Sequence, residues 1–486
     1  VFAFFGSNES YQGEPGLPKF EEQLRRYIQH LKSQSFVDGK PVRVVLVSPI
    51  AHEDLGNPSL PDGKSHNRLL EIYTEAMQKV AAAEKIPFVD LFHPTAQKYT
   101  NDPAPWTING IHLNDHGNRL VAQEIFQSLF PKAASEPLPS TFAKVRAAVL
   151  EKDFYWFQRY RTTDGFSIYG GRADLRFVEG QSNRDVMSRE MKILEQMTDL
   201  RDPAIWASAN RQDYTVDDSK TDPFIPVVTN KPGSGPDGKH LFLTGEEAIG
   251  KMTVGSGMKV NLFASEEQFP ELVNPVQMAF DPKGRLWVAA WRTYPHWKPK
   301  EPMDDKLLIL EDTNGDGRAD VCKTFADDIH NPTGFEFWNG GVLVAQAPDL
   351  LFLKDTDGDD VADVRQRVLH GLDSADTHHT ASSFTFDPGG ALYFQEGTFH
   401  HSQTETPWGP VRRVANGAVF RYEPKRMNFD IYTSYGFANP HGHVFDRWGQ
   451  DIAHDGTGAV PYHGKVFSTY LPFPEKHGGA PTVYQQ

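Results

Sequence analysis

The sequence predicts a multi-domain chain: a parallel α/β domain, then a helical connector, then a β-propeller. Three observations carry this. The first 131 residues alternate apolar strand runs with amphipathic helices, as in a parallel sheet covered on both faces. Met187, Met191, Leu194 and Met197 then recur at helical spacing. Beyond residue 259, short strands and Gly turns form segments whose starts lie 57, 48 and 60 residues apart, a period that means propeller blades. The expected boundaries are 1–131, 132–241 and 242–486.

Val1 to Phe5 reads as a buried strand, and Phe20, Leu24, Ile28 and Leu31 form one face of the helix that follows. Val42 to Val47 is a β-branched run suited to a parallel strand. A helix over about Asn67 to Ala83, a strand from Phe88 to Phe92 and a last helix bearing Leu120, Val121, Ile125 and Leu129 complete the first part. The cluster Phe154-Tyr155-Trp156-Phe157 packs the connector against a neighbour, and the Pro/Gly-rich stretch of 211–240 is linker chemistry. Thr244 and Glu247 match a capping box that opens a short helix. The repeats begin at Asn274, Asn331, His379 and Asn439, each with a polar start, an alternating strand, a Gly turn and a second strand. Val1 lies inside a strand and no closing strand is evident before Gln486, so the chain is expected to be truncated at both ends, from a propeller six-bladed when complete.

A net charge of −15 disfavours nucleic acid and anionic membranes, whose binding is driven by phosphate neutralisation. No run of about 18 apolar residues occurs, so no membrane span is expected. The lone Cys322 rules out an intrachain disulfide and a CxxCH haem attachment.

Asp312, Asn314, Asp316, Arg318 and Asp320 fall at alternate positions of a DxNxDGxxD loop, and Asp355, Asp357, Asp359, Val361 and Asp363 repeat it 43 residues later. Side-chain oxygens at positions 1, 3, 5 and 9 with a carbonyl at 7 suit calcium; the alternative is an Asp/Gly hairpin loop without metal. The first loop is expected to be the stronger, because Gly317 keeps the tight sixth position that Asp360 replaces. Calcium loops of this kind point to a periplasmic or secreted protein. His330, His378, His379, His400, His401, His441 and His443 fall near repeat boundaries, where several are expected to converge at the mouth of the propeller. A transition-metal site in this histidine group is a further alternative.

Gly6-Ser7-Asn8 after a strand, with Asn109-Gly110-Ile111-His112 before the last helix, resembles the SGNH (GDSL-like) hydrolases, of flavodoxin-like fold. The resemblance implies that Asn8 is an oxyanion donor and His112 the general base, the alternative being a loop or capping histidine. Asn109 stands where the family has Asp, and the family's Ser and Gly are not in the chain, so this part is not expected to hydrolyse esters alone. His52 and Glu53 are read as exposed and bland.

The phrases NPTGFEFWNGGVLVAQAPDLLFLKDTDGD, DSADTHHTASSFTFDPGGALY and TPWGP resemble bacterial membrane-bound-dehydrogenase-type propellers, kin to the soluble quinoprotein glucose/sorbosone dehydrogenases. The resemblance implies that His379, eight residues before Asp387-Pro388, is a catalytic base. His378, His330, Asn439 and His441 are then candidates for holding pyrroloquinoline quinone, and a c-type cytochrome domain is a partner. Ala438 and Ser383 stand where the family carries Arg, which argues against tight quinone binding. Together these features predict a secreted carbohydrate-processing protein, an esterase or deacetylase-like module with a sugar-dehydrogenase-like propeller, acting on a carbohydrate or acylated sugar. The alternative is a non-catalytic carbohydrate- or protein-binding scaffold.

Overall fold

The computed structural model describes residues 1–463 except 37–38, 134–138, 177–179, 228–232, 234, 236–237, 239–241, 435–437 and 458–459. Part of the expected linker of 211–240 lies outside these. The chain divides into two compact units, one comprising Val1–Leu138, Thr404–Arg412 and Tyr422–Asp430, the other the remainder.

In the first unit, strands Phe2–Phe4, Val45–Val47 and Phe88–Val89 form a parallel three-stranded sheet in sequence order. Helices Leu17–Ser33, Lys64–Glu84 and Asp115–Leu129 follow. Phe20, Leu24 and Ile28 pack with Leu46, Tyr73, Met77 and Val80 into one core, while Val47, Val89, Trp106 and Val121 form a second. The strand expected through Phe92 stops at Val89, because a helix, Phe92–Lys98, begins there.

The second unit begins with the connector. Helices Phe142–Tyr160 and Asn183–Leu200 place Met187, Met191, Leu194 and Met197 in a core with Trp297. Of the aromatic cluster, Tyr155 packs on that core while Phe154 and Trp156 remain largely exposed. Thr244 caps helix Gly245–Ile249 through the capping box expected of it.

Blade-type sheets follow, each led by a repeat start. Pro275–Phe280, Leu286–Ala290, Asp305–Glu311 and Val321–Ile329 form the first; Phe335–Trp338, Gly341–Gln346, Asp349–Lys354 and Val364–His370 the second. Ser382–Phe386, Leu392–Glu396, Ala418–Glu423 and Asn428–Thr433 form the third, and Pro440–Phe445, Asp451–Asp455 and Val460–His463 the fourth. Neighbouring blades are tied by polar side chains at their inner strands. The Gln277 amide both donates to and accepts from the Phe335 backbone, and Thr333 bonds the Ala381 carbonyl and Thr380. These ties hold the loops before the inner strands together, where the site lies.

Candidate functional site

Asp376 caps the short turn Thr377–His379, accepting the His378 amide at 3.2 Å. The turn folds both imidazoles back on this carboxylate. His378 Nδ1 lies 3.3 Å from Oδ1 and His379 Nδ1 2.9 Å from Oδ2. Arg172, from the connector, meets Oδ2 at 2.8 Å. Burial opposes ionisation of Asp376, yet the bonds from His378 and His379 and the nearby positive charges hold it far below the usual carboxylate range. An ionised Asp376 requires a proton on His379 Nδ1, which leaves Nε2 as the basic nitrogen. Nε2 has no protein partner among the described residues, and His379 lines a cleft of about 670 Å³.

The cleft's other polar walls include Asp164, Glu190, His296 and Asn439. His296 Nε2 lies 3.0 Å from Glu190; that bond and the charges of Glu190 and Asp164 outweigh burial and raise its pKa. Burial pushes Asp164 up. His296 Nδ1 and Asp164 Oδ1 are both buried without a hydrogen-bond partner among the described residues.

The expected convergence of histidines is met in part. His378 and His379 adjoin, and the His441 ring centre lies 6.4 Å from that of His379. His330 lies outside the cleft lining, fully buried, and is pushed down to about 3 by burial and by His296. His400 sits behind Asp376, its Nε2 2.9 Å from the Asp376 carbonyl. His401 is exposed. His443 is a packing residue, bonded to Asp451 at 3.0 Å and set among Tyr393, Tyr432 and Phe445. Asn439 lines the cleft, but its side-chain amide donates to Thr457.

Pyrroloquinoline quinone, which carries several carboxylates, does not fit this cleft. The Arg172 guanidinium is spent on Asp376, the His296 charge faces Glu190, and the remaining charged wall, Asp164, is acidic. His378, His330, Asn439 and His441 therefore offer that quinone no free cation.

In the first unit, Asn109 Oδ1 accepts the amides of Ile111 and His112 at 3.3 and 3.0 Å. Its Nδ2 is left to donate to His112 Nδ1, 3.0 Å away. Nδ1 then carries the lone pair and Nε2 the proton, the tautomer that cannot act as a base through Nε2. His112 Nε2 lies 3.5 Å from Glu405, and Asn8 Nδ2 donates to the other oxygen of the same carboxylate.

His52 and Glu53, expected to be exposed, are buried. Glu53 accepts the amides of Trp106 and Thr107 and the Thr107 hydroxyl, fixing the loop that leads to Asn109. His52 packs beneath Gly110, whose φ is 97° and where an added Cβ would come within 2.6 Å of Nε2. Ser10 and His66 also pair, at 3.0 Å, but Ser10 is fully buried and donates to the Ser7 carbonyl. This is no exposed nucleophile.

In the second acidic loop, oxygens of Asp355, Asp357 and Asp363 lie within 4.8 Å of one another. Asp359 instead accepts the Val361 amide. Asp357 is pushed up, first by the charge of Asp359. Asp360 holds the sixth position at φ 67° while its carboxylate bonds Arg285 and Lys323. The first loop, expected to be the stronger, gathers no such trio. Asn314 Nδ2 there donates to Asp320 at 2.9 Å, Asp312 accepts the amides of Gly315, Asp316 and Gly317, and the Arg318 side chain turns to Glu246. An amide has replaced the repulsion that a cation would relieve.

Arg172, Asp376, Glu190, His296 and Asp164 escaped the sequence reading. Only Asp376 left a local trace: Asp376-Thr377-His378-His379 has the Asp-x-x-His spacing that residues 109–112 lack.

Residues 1–120 match the model of the GDSL-like Lipase/Acylhydrolase family. Residues 244–469 match that of a domain of unknown function, DUF7133. No curated protein matches the chain. Among solved structures, the chain is similar to a catalytic mutant of an acetylxylan esterase from Geobacillus stearothermophilus, at 16% identity over 27% of this chain and 58% of that one, TM-score 0.22. It is similar to a Carbohydrate-Active Enzymes Family AA12 protein from Trichoderma reesei, at 12% identity over 45% and 57%, TM-score 0.32. It is also similar to the PQQ domain of a pyranose dehydrogenase from Coprinopsis cinerea, at 13% identity over 38% and 44%, TM-score 0.27. The chain thus spans less than two thirds of the length of each.

Proposed function

We propose that this is a carbohydrate-directed protein whose working site is the cleft at Asp376 and His379. The observation that carries the reading is the bare Nε2 of His379, oriented by a buried carboxylate at Nδ1 and facing a cleft with polar walls. A ligand hydroxyl at Nε2 would give up its proton there, while Asp376 stabilises the imidazolium that forms. Asp164 and His296 line the same cleft and give it polar walls for neighbouring hydroxyls. Leu175, Val186 and Met187 give the cleft an apolar wall for a sugar face. No step in this reading calls for a quinone or a c-type cytochrome partner.

In the first unit the reading is binding without turnover, since Asn109 sets His112 in the tautomer whose Nε2 carries the proton. This favours the scaffold function there. The acidic trio Asp355, Asp357 and Asp363 suits calcium, a structural role and a periplasmic or secreted setting. No helix among the described residues is long and apolar enough to cross a membrane.

Calorimetric titration with neutral and acetylated oligosaccharides tests the reading. Saturable binding that weakens at least tenfold in His379→Ala and Arg172→Ala supports it. Binding that both variants leave unchanged, or no binding of any sugar, would overturn it.

A further inference from the structure

The first unit holds a second arrangement that the cleft does not explain. Two side-chain N–H groups, Asn8 Nδ2 and His112 Nε2, converge on the two oxygens of one carboxylate, that of Glu405. Each donor is fixed from behind. Asn8 sits in the helix Ser7–Ser10, whose start is pinned by Glu9 accepting the Gly6 amide at 2.9 Å. His112 is oriented by Asn109, and Asn109 by two backbone amides. Glu405 is presented by the hairpin of Gln403–Thr406 and Gly409–Arg413. That hairpin is braced by Trp408, whose Nε1 donates to the Arg426 carbonyl at 2.7 Å under the Arg426 guanidinium.

The polarity of this arrangement is specific. With His112 protonated at Nε2, both groups donate, and an acceptor with two oxygens about a carboxylate's width apart satisfies both. A neutral ester offers a single and much weaker acceptor, its uncharged carbonyl oxygen. We propose that Asn8 and His112 form a binding pair for small monocarboxylates, and that Glu405 is its resident, tethered ligand. The charge of Glu405 also reaches Tyr11, whose hydroxyl is pushed up to about 12, chiefly by burial and then by that charge. A tethered ligand competes at a high effective concentration, on the order of millimolar or above, so free carboxylate is excluded while the hairpin is seated.

The test uses the whole chain with ¹⁵N-labelled side chains and titrates acetate, with glucuronate as a second probe. Glu405→Ala should bind acetate saturably, at least tenfold more tightly than the unmodified chain, moving the Asn8 amide and His112 Nε2–H signals. Glu405→Gln, which keeps the size of the side chain, should show the same direction of change, and Asn8→Ala added to either variant should abolish it. Glucuronate binding as well as acetate would mark a uronic acid as the natural occupant, and acetate alone an acyl product; both support the pair. Acetate binding no tighter in either Glu405 variant than in the unmodified chain, or shifts confined to other residues, would overturn it.

Discussion

Asp376 orders three side chains at once, so its substitution separates charge from shape. Asp376→Asn keeps the volume but leaves Arg172 unpaired and frees His379 to take either tautomer; by the triad precedent any turnover at His379 should fall by about 10⁴-fold, read as kcat/KM on whichever sugar binds. The stability that Asp376 contributes is present above the ordinary carboxylate pKa and is lost only as pH falls through its much lower folded value. Glu396 works in the opposite sense. Burial pushes it up to about 8, so between 4.5 and 8 the folded chain holds a proton that the unfolded chain has released. Its contribution is therefore complete below pH 4.5 and lost as pH rises through 8, by an amount on the order of a few kcal/mol. Denaturant midpoints should fall across that window in the unmodified chain and fall less in Glu396→Gln. In the first unit, Asn109→Asp should move the His112 proton to Nδ1, visible in its imidazole ¹⁵N shifts. The resemblance to the quinoprotein pattern points to His379, and the departure at Asn109 from the esterase motif is plain in the sequence. Arg172 could not be found, because nothing local marks a connector guanidinium that will meet a carboxylate far along the chain.

Among the elements, the long helices announce themselves through apolar periodicity, as Phe20, Leu24 and Ile28 show. The hairpin of Gln403–Thr406 and Gly409–Arg413 does not; strands of four and five residues carry too few positions to establish an alternation. The two acidic loops show the same limit in another form. Their spacing was evident, but which one gathers its carboxylates depends on whether residue three is an amide or an acid. Calcium at about a hundred times its Kd should stabilise the chain by about 2.7 kcal/mol, seen as a raised thermal midpoint. Asp357→Asn should remove most of that gain, and Asp316→Asn in the first loop should remove less. At the end of strand Leu392–Glu396, Gly397 lies against His379, where an added Cβ would come within 2.6 Å of the His379 Cβ. Gly397→Ala should displace the ring and weaken ligand binding, with little change in calcium response.

At the scale of the whole molecule, the boundary between units runs through single strands. Ala418–Glu423 is divided after Arg421 and Asn428–Thr433 after Asp430. Composition and repeat period were enough to foresee an α/β part and a blade part. The later segments that join the first unit were hidden, since membership there is decided by long-range packing and not by any local pattern.

The tethering of Glu405 also has a history in time. His112, the later of the two donors, leaves the ribosome roughly 290 residues ahead of it, which at roughly 5–20 residues per second is an interval of about 15 to 60 seconds. Throughout synthesis the two donors are therefore made before their acceptor, and any free acid they capture in that interval must be evicted when the hairpin arrives.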